Sequence, residues 1–331
     1  MRAAILKKQK PIEENPLEIV EISEPVPENR EIRVKISYCG ICHTDLHIVK
    51  GDLPLKKIPV IPGHQIIGIV DKMGNGVKKF KEGDRVGIPW LNSTCGRCYY
   101  CKNGMENLCD GAKFTGYHVD GGYSEYTVVS EDFAYKVPEE FVDIKTAPLF
   151  CAGVIGFRAL RLSNVREGSI LGLFGFGASA HIVIQVAKYL NCRVFVFSRS
   201  EKHRKMAEKL GAEWTGTIND KPPDSIESGI IFAPAGDIVI EALKILKKGG
   251  TLALAGIYMS PIPGIEYKLI YNERSIKSVA NSTRQDVIDF LEIARKVPVH
   301  PEVQVFPLEQ ANHALTLLKH GKINGAGVLQ I

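Results

Sequence analysis

A chain of 331 residues is too long for one ordinary hydrophobic core and accommodates two domains. Its 45% hydrophobic and 24% charged residues are the balance of a globular protein, and its net charge of +5 is spread too thinly to make a nucleic-acid or membrane footprint. No apolar run reaches the roughly 20 residues that span a bilayer, and the opening MRAAILKKQK lacks the apolar core of a signal peptide, so the expectation is a cytoplasmic protein.

In chain order, residues 1 to about 150 read as β-rich and loop-rich, with short apolar runs at Ile32–Ile36, Ile66–Val70 and Tyr126–Val129 between Gly, Pro and charged turns. From about Val154 strands and helices alternate. Ser169–Phe174 predicts a strand, followed by a glycine turn and an apolar-faced helix to about Tyr189. Arg193–Phe197, Gly229–Ala233 and Thr251–Ala255 predict further strands, with a helix over Asp237–Leu246 before the last. Such alternation implies a parallel sheet covered by helices on both faces. Helical stretches at Val287–Arg295 and Leu308–Lys319 and an apolar end, Gly327–Ile331, complete the chain.

The chain has eight cysteines, and in the reducing cytoplasm clustered thiols suggest metal rather than disulfides. Four of them, Cys95, Cys98, Cys101 and Cys109, lie within the segment CGRCYYCKNGMENLC. Two-residue gaps let thiolates converge on one tetrahedral ion, and a shell filled by four sulfurs has no open position, so a zinc held there is structural. Arg97, Lys102 and Lys113 stand near in sequence to offset the negative charge. An iron–sulfur cluster or two disulfides are the competing readings.

A catalytic zinc needs three protein ligands and one open position. YCGICHTDLH offers Cys42, VIPGHQIIGIV offers His64 at the edge of an apolar strand, and APLFCAGVIGF offers Cys151. Taken singly, Cys151 and Cys192 read as core, His64 as a turn residue, and the Cys39–Cys42 pair as either a redox dithiol or one ligand beside one small buried residue.

LGLFGFGASAHIVIQVA fits strand, then Gly175-x-Gly177-x-x-Ala180, then helix. The first glycine permits the tight turn, the second admits a pyrophosphate, and the third position needs only a small side chain. The helix N-terminus at Ala178 and Ser179 then presents free N–H groups to the anion. An acidic residue that would accept from the ribose hydroxyls of NAD is expected about 20 positions on. Ser198 stands there instead, followed by Arg199, Ser200, Lys202 and His203, which could hold a 2′-phosphate; this favours NADP over NAD. A simply solvated loop with NAD(H) bound lacking its acidic anchor is the other reading.

Gly40-Ile41-Cys42-His43-Thr44-Asp45, Gly63-His64, Cys151 and the lobe over Cys95–Cys109, in that order, resemble the zinc-dependent alcohol dehydrogenases of the medium-chain dehydrogenase/reductase superfamily over essentially the whole chain. SVANSTRQD at 278–286 and PLEQANHAL at 307–315 add to the likeness. The resemblance implies a mixed α/β protein: a GroES-like β-rich catalytic domain (1–151 and 284–331, with a structural-zinc lobe at 92–113) and a Rossmann domain, a doubly wound parallel sheet, at 152–283. It implies two zinc ions per chain, the catalytic one on Cys42, His64 and Cys151 with Asp45 steadying His64. It further implies that Thr44 takes the alcohol proton and passes it by way of the cofactor ribose to His47, which on sequence alone could be an ordinary surface histidine. Ala255, Gly256 and Ile257 are expected to hold the nicotinamide carboxamide, and His43 a phosphate. Trp90, with Leu53 opposite, matches a position lining the alcohol pocket, so short primary alcohols and aldehydes are expected; a core tryptophan is the alternative. Family members form dimers or tetramers, so a homo-oligomer is expected.

Three positions depart from the pattern. Gln65 stands where a glutamate usually follows the zinc histidine, which predicts slower exchange of water for alcohol; Ile155 replaces a threonine at the nicotinamide, and Ala326 an arginine at the pyrophosphate. Rival readings are a polyol, cinnamyl-type or formaldehyde dehydrogenase of the same superfamily, or a zinc-bearing relative that keeps the fold without the chemistry.

Overall fold

The computed structural model describes residues 1–297 and 299–331. Residues divide into two compact units, the first formed by 1–151, 281–289 and 301–331 and the second by 152–280 and 290–300.

The first unit is built on a seven-stranded sheet. Its neighbours run in the order Val303–Pro307, Ala326–Gln330, Glu31–Gly40, Gln65–Met73, Arg85–Ile88 and Tyr135–Lys136, and Tyr126–Ser130 pairs with Glu31–Gly40 as well. Glu31–Gly40 is the hub, antiparallel to three partners. Alternation along it sends Ile32, Val34 and Ile36 into the core. Each such burial contributes roughly 1.5–3 kcal/mol. The hub runs straight into the turn at Cys42 and the helix His43–Lys50, while its partner Gln65–Met73 begins one residue after His64. Two paired strands thus deliver two of the predicted ligands to one end of the sheet, with Gly40 opposite Gln65. A small hairpin, Leu91–Ser93 with Lys113–Phe114, closes the base of the four-cysteine segment.

The second unit carries a six-stranded, wholly parallel sheet in the order Trp214–Gly216, Arg193–Phe197, Ile170–Phe174, Ile226–Ile231, Leu246–Leu254 and Ser275–Ser278. Numbered along the chain this is 3-2-1-4-5-6, so the strand order reverses beside Ile170–Phe174, where doubly wound sheets bind dinucleotides. All five residues of that first strand are buried, as a central parallel strand requires. Two of these strands, Trp214–Gly216 and Ser275–Ser278, were not expected from the sequence.

Two stretches fall in other units than expected: residues 281–283, expected in the second domain, lie in the first unit, and residues 290–300, expected in the first, lie in the second. The helix Arg284–Lys296 carries the transition: its Phe290 is fully buried, with its ring 5.7 Å from that of Phe157 in the second unit. Apolar burial, not chain position, decides the membership. No helix among the described residues is long and apolar enough to cross a membrane.

Candidate metal centres and dinucleotide cradle

The ligand atoms of Cys42, His64 and Cys151 lie within 4.8 Å of one another. Zn–S and Zn–N bonds of about 2.3 and 2.0 Å place tetrahedral ligand atoms roughly 3.5–3.8 Å apart, so the trio fits a single ion. His64 is fully buried, and its Nε2 finds no hydrogen-bond partner among the described residues. A buried polar atom left without a partner is costly unless something else engages it, and a metal lone-pair acceptor does so. The residues present therefore fit a cation with an open fourth position.

Local structure explains the convergence. Cys42 caps the helix His43–Lys50 in an extended conformation, and its N–H donates to Asp45 Oδ2 at 2.8 Å. Asp45 Oδ1 accepts from His64 Nδ1 at 2.9 Å and from the Gly63 N–H at 3.2 Å. The hydroxyl of Tyr123 donates to Oδ2 at 3.1 Å. This fully buried carboxylate thus ties two ligand segments together and fixes His64 with Nε2 toward the metal position. Gly63 turns with φ +96°, and a Cβ there would stand 2.4 Å from the Tyr123 ring, so only glycine allows His64 to enter at this angle.

The electrostatics of the trio are those of a proton-loaded ligand set. Burial works against a charged His64, but the charge and hydrogen bond of Asp45, with Cys42, carry its pKa up to about 10. The Cys42 thiol is held well below its ordinary value, chiefly by the hydrogen bond with Cys151, while that same bond and burial push Cys151 well up. Cys39 is fully buried with its thiol pushed up by desolvation, the opposite of a redox-active thiolate. Burial and the Asp45 charge likewise keep Tyr123 protonated.

Around this centre Thr44 is buried with Oγ1 3.6 Å from Cys42 Sγ. His47 lies on the next turn, its Nδ1 2.6 Å from Asp52 Oδ2, which also pairs with Lys50 at 2.7 Å. Trp90 meets the His64 ring edge-on at 4.8 Å and stacks on Phe114 at 5.0 Å, so it is both core and neighbour of the metal ligand. Leu53 packs against the same core. Gln65 is buried against Gly40, whose Cβ would come within 2.9 Å of the amide carbon.

The four sulfurs of Cys95, Cys98, Cys101 and Cys109 also lie within 4.8 Å of one another. Separations of 3.5 Å for Cys98–Cys101 and 3.9 Å for Cys95–Cys101 are far beyond a disulfide bond and near the edge of a zinc–sulfur tetrahedron. Backbone N–H groups of Arg97 and Cys98 aim at Cys95 and draw its thiol down to about 6. Glu106 of this lobe, itself buried, accepts from the backbone N–H of Arg284 at 2.9 Å and from its Nε at 3.2 Å. The lobe is thereby pinned to the start of the helix Arg284–Lys296.

In the second unit the turn after Ile170–Phe174 is made by Gly175 at φ +89°, whose N–H donates to the Phe197 carbonyl at 2.8 Å. Gly177 caps the helix Ala178–Tyr189, and a Cβ there would meet nothing within 4 Å, which leaves the space in front of the helix N-terminus clear. Ala180 is fully buried at the helix–strand contact. At the end of the neighbouring strand Ser198 is buried and its Oγ accepts from the Ser200 N–H, while Ser200 caps Glu201–Lys209 by accepting from the His203 N–H. Arg199 and Lys202 are exposed and His203 half-buried. Arg204 braces the loop by donating to the Ser198 carbonyl at 2.7 Å. Two carboxylates of this region are engaged locally, Glu201 with Lys205 and Asp220 with Thr217. Gly256 and exposed Ile257 follow the strand Leu246–Leu254, and Ala255 donates to the Ile231 carbonyl at 2.9 Å. Ile155 lies in the helix Ala152–Leu162, and Ala326 is buried in its strand.

Tyr123, Asp52, Glu106 and Arg204 were not singled out in the sequence; Gly63 was, but only as the glycine directly before a candidate ligand.

A dinucleotide-binding sheet together with a sulfur–nitrogen metal centre defines the class: a metal-dependent nicotinamide dehydrogenase. Known proteins make the assignment specific. Residues 28–139 match the alcohol dehydrogenase GroES-like domain, and residues 180–296 match the zinc-binding dehydrogenase family. The chain is 42% identical over 337 residues to a probable alcohol dehydrogenase, AdhA, of Mycobacterium tuberculosis, covering 100% of this chain and 97% of the relative. Among solved structures it is similar to a cinnamyl alcohol dehydrogenase of Sorghum bicolor (TM-score 0.91, 28% identity, 99% and 97% of the two chains). It is also similar to CAD from Helicobacter pylori in complex with NADP(H) (TM-score 0.89, 27% identity, 100% and 99%). The chain belongs to the zinc-type alcohol dehydrogenases of the medium-chain dehydrogenase/reductase family. It is an NAD(P)-dependent oxidoreductase with a zinc-binding centre.

Proposed function

We propose that this chain interconverts short primary alcohols and aldehydes with NADP(H) preferred over NAD(H), as a cytoplasmic homo-oligomer with two zinc ions per chain and no nucleic-acid or membrane partner. The reading rests above all on the buried trio of Cys42, His64 and Cys151, whose orphaned His64 Nε2 and three converging donors suit a cation with one position to spare. The four-sulfur lobe, with no position to spare, suits the structural ion. The first unit supplies the catalytic domain and the second the nucleotide domain.

Held by the trio, zinc would supply the Lewis acidity that makes an alcohol acidic near neutral pH, and a nicotinamide cofactor would supply the hydride-accepting chemistry. The protein's own groups handle the proton. Thr44 offers a buried hydroxyl at the edge of the ligand shell, suited to take it first. His47 is the exit group: Asp52 accepts from Nδ1–H at 2.6 Å, which holds the ring with Nε2 as its basic nitrogen. Trp90 against His64 narrows the space beside the metal and disfavours branched substrates. Ser198, Arg199, Lys202 and His203 are suited to a 2′-phosphate because a serine, not a carboxylate, stands at position 198.

Replacing His47 with Gln removes the exit base and should lower kcat/KM by about tenfold at pH 6 with little change at pH 9, where solvent base is plentiful. A pH–rate profile superimposable on the parent's excludes His47 from the relay. The function itself is tested by following nicotinamide absorbance with ethanol, propan-1-ol, propan-2-ol, sorbitol, formaldehyde and cinnamaldehyde against both cofactors. Fastest turnover on short primary alcohols or their aldehydes is expected; a preference for cinnamaldehyde would move the reading to the cinnamyl-type branch, to which the Sorghum bicolor structure belongs by name.

A further inference from the structure

Four hydrogen-bond donors converge on the carboxylate of Asp45, and an ionised carboxylate has about four acceptor sites. Three of the donors, the N–H groups of Cys42 and Gly63 and Nδ1 of His64, come from the ligand-bearing segments themselves. The fourth, the Tyr123 hydroxyl, comes from a separate stretch of chain. That stretch is anchored on both sides: the Tyr123 N–H donates to the Pro62 carbonyl at 2.9 Å, and its carbonyl accepts from the Ala4 N–H at 2.8 Å. Tyr123 and Asp45 are both fully buried, so no water replaces the phenol if it is lost.

We propose that Tyr123 is a positioning residue of the metal centre, its hydroxyl fixing the Asp45 carboxylate that orients His64 and holds Cys42 in place. Packing and hydrogen bonding separate cleanly here. The Tyr123 ring fills the space beside Gly63, and phenylalanine fills it equally; only the hydroxyl reaches Asp45 Oδ2. Without it Oδ2 keeps a single donor, the carboxylate gains freedom to rotate, and the His64 ring loses its fixed bearing.

This inference rests on the trio being the catalytic zinc site, and the four-sulfur lobe supplies an internal control. Zinc-loaded parent and Y123F are mixed with a chromophoric chelator and the release of each ion is followed. Outer-shell partners of metal ligands are typically worth 10–100-fold in metal affinity, so release from the trio should accelerate about tenfold or more while release from the lobe is unchanged. Equal rates in the two proteins overturn the proposal. Acceleration at both sites also overturns it, because general loosening is then the cause. A parent that holds one ion, in the lobe, sinks the zinc-site reading instead, so the two failures are distinguishable. Incorporating 3-fluorotyrosine, whose phenol is the stronger donor, keeps the test open should Y123F not fold. Release from the trio then slows in the parent protein, and an unchanged rate overturns the role of the hydroxyl.

Discussion

Serine in place of Cys151 should reduce zinc content from two ions per chain to one and lower kcat/KM by about 10³-fold or more. The alcohol oxygen is a poor proton donor in water, and a Lewis acid lowers that barrier by several kcal/mol, at about 1.4 kcal/mol per factor of ten. Serine keeps nearly the volume of Cys151 at a buried position, so the core is retained while the soft thiolate is lost. Elemental analysis and a steady-state assay check both halves. A variant that retains two ions and near-parental turnover would remove Cys151 from the centre.

The same site has a defined pH signature. Stripped of metal, the trio carries a thiolate on Cys42, a thiol on Cys151 and a proton on His64 up to a pH of about 10. Zinc takes two thiolates and a neutral imidazole, so loading must expel two protons between pH 7 and 9. Affinity therefore rises with pH, by about 100-fold per unit in this window, and falls on acidification. Calorimetric titration of protein emptied at the trio but still zinc-loaded in the four-sulfur lobe, in buffers of different ionisation enthalpy, measures the trio's proton count directly. Release near two is expected for the parent, and no binding at the trio for the Cys151→Ser variant; a count near zero in the parent would mean that the buried ligands do not hold the protons assigned to them.

How much of this was legible in the sequence follows from what each signal requires. Cysteine is scarce and chemically specific, so the cluster over Cys95–Cys109 stood out; Cys42, His64 and Cys151, each weak taken singly, were brought together by resemblance. The strands of the second unit announced themselves where they are buried on both faces, as at Ile170–Phe174. Trp214–Gly216 escaped because it has three residues, and Ser275–Ser278 because it is an edge strand reading Ser-Ile-Lys-Ser with no apolar run. Pairings across long separations left no trace: Glu106 and Arg284 are 178 positions apart, and Tyr123 reaches Asp45 across 78. An apolar-looking tyrosine reads as core whether or not its hydroxyl has work to do. The break within Arg284–Lys296 was hidden for the same reason, since an amphipathic helix does not say which core receives each of its apolar residues.

Aspartate in place of Ser198 should invert the proposed preference for NADP(H), lowering kcat/KM for NADPH about 100-fold while sparing or improving that for NADH. The position lies at the end of the strand Arg193–Phe197, where an acidic residue ordinarily accepts from both ribose hydroxyls. A carboxylate there faces the 2′-phosphate at close range, and two like charges about 4 Å apart repel by up to about 4 kcal/mol near a protein surface. Screening and the exposure of Arg199 reduce that, which is why about 100-fold, or roughly 2.7 kcal/mol, is the expected size. Arg199 itself contributes through an exposed charge, so Arg199→Ala should cost less, about fivefold to tenfold on NADPH alone, and the NADPH KM of the parent should rise with salt while that for NADH stays flat. Arg204 is spent on the Ser198 carbonyl, so its replacement should disturb the loop under both cofactors rather than discriminate between them. A parent that prefers NADH tenfold, or an NADPH KM indifferent to ionic strength, would show that the serine–arginine loop is simply solvated and that the cofactor is held without an anchor on its 2′ position.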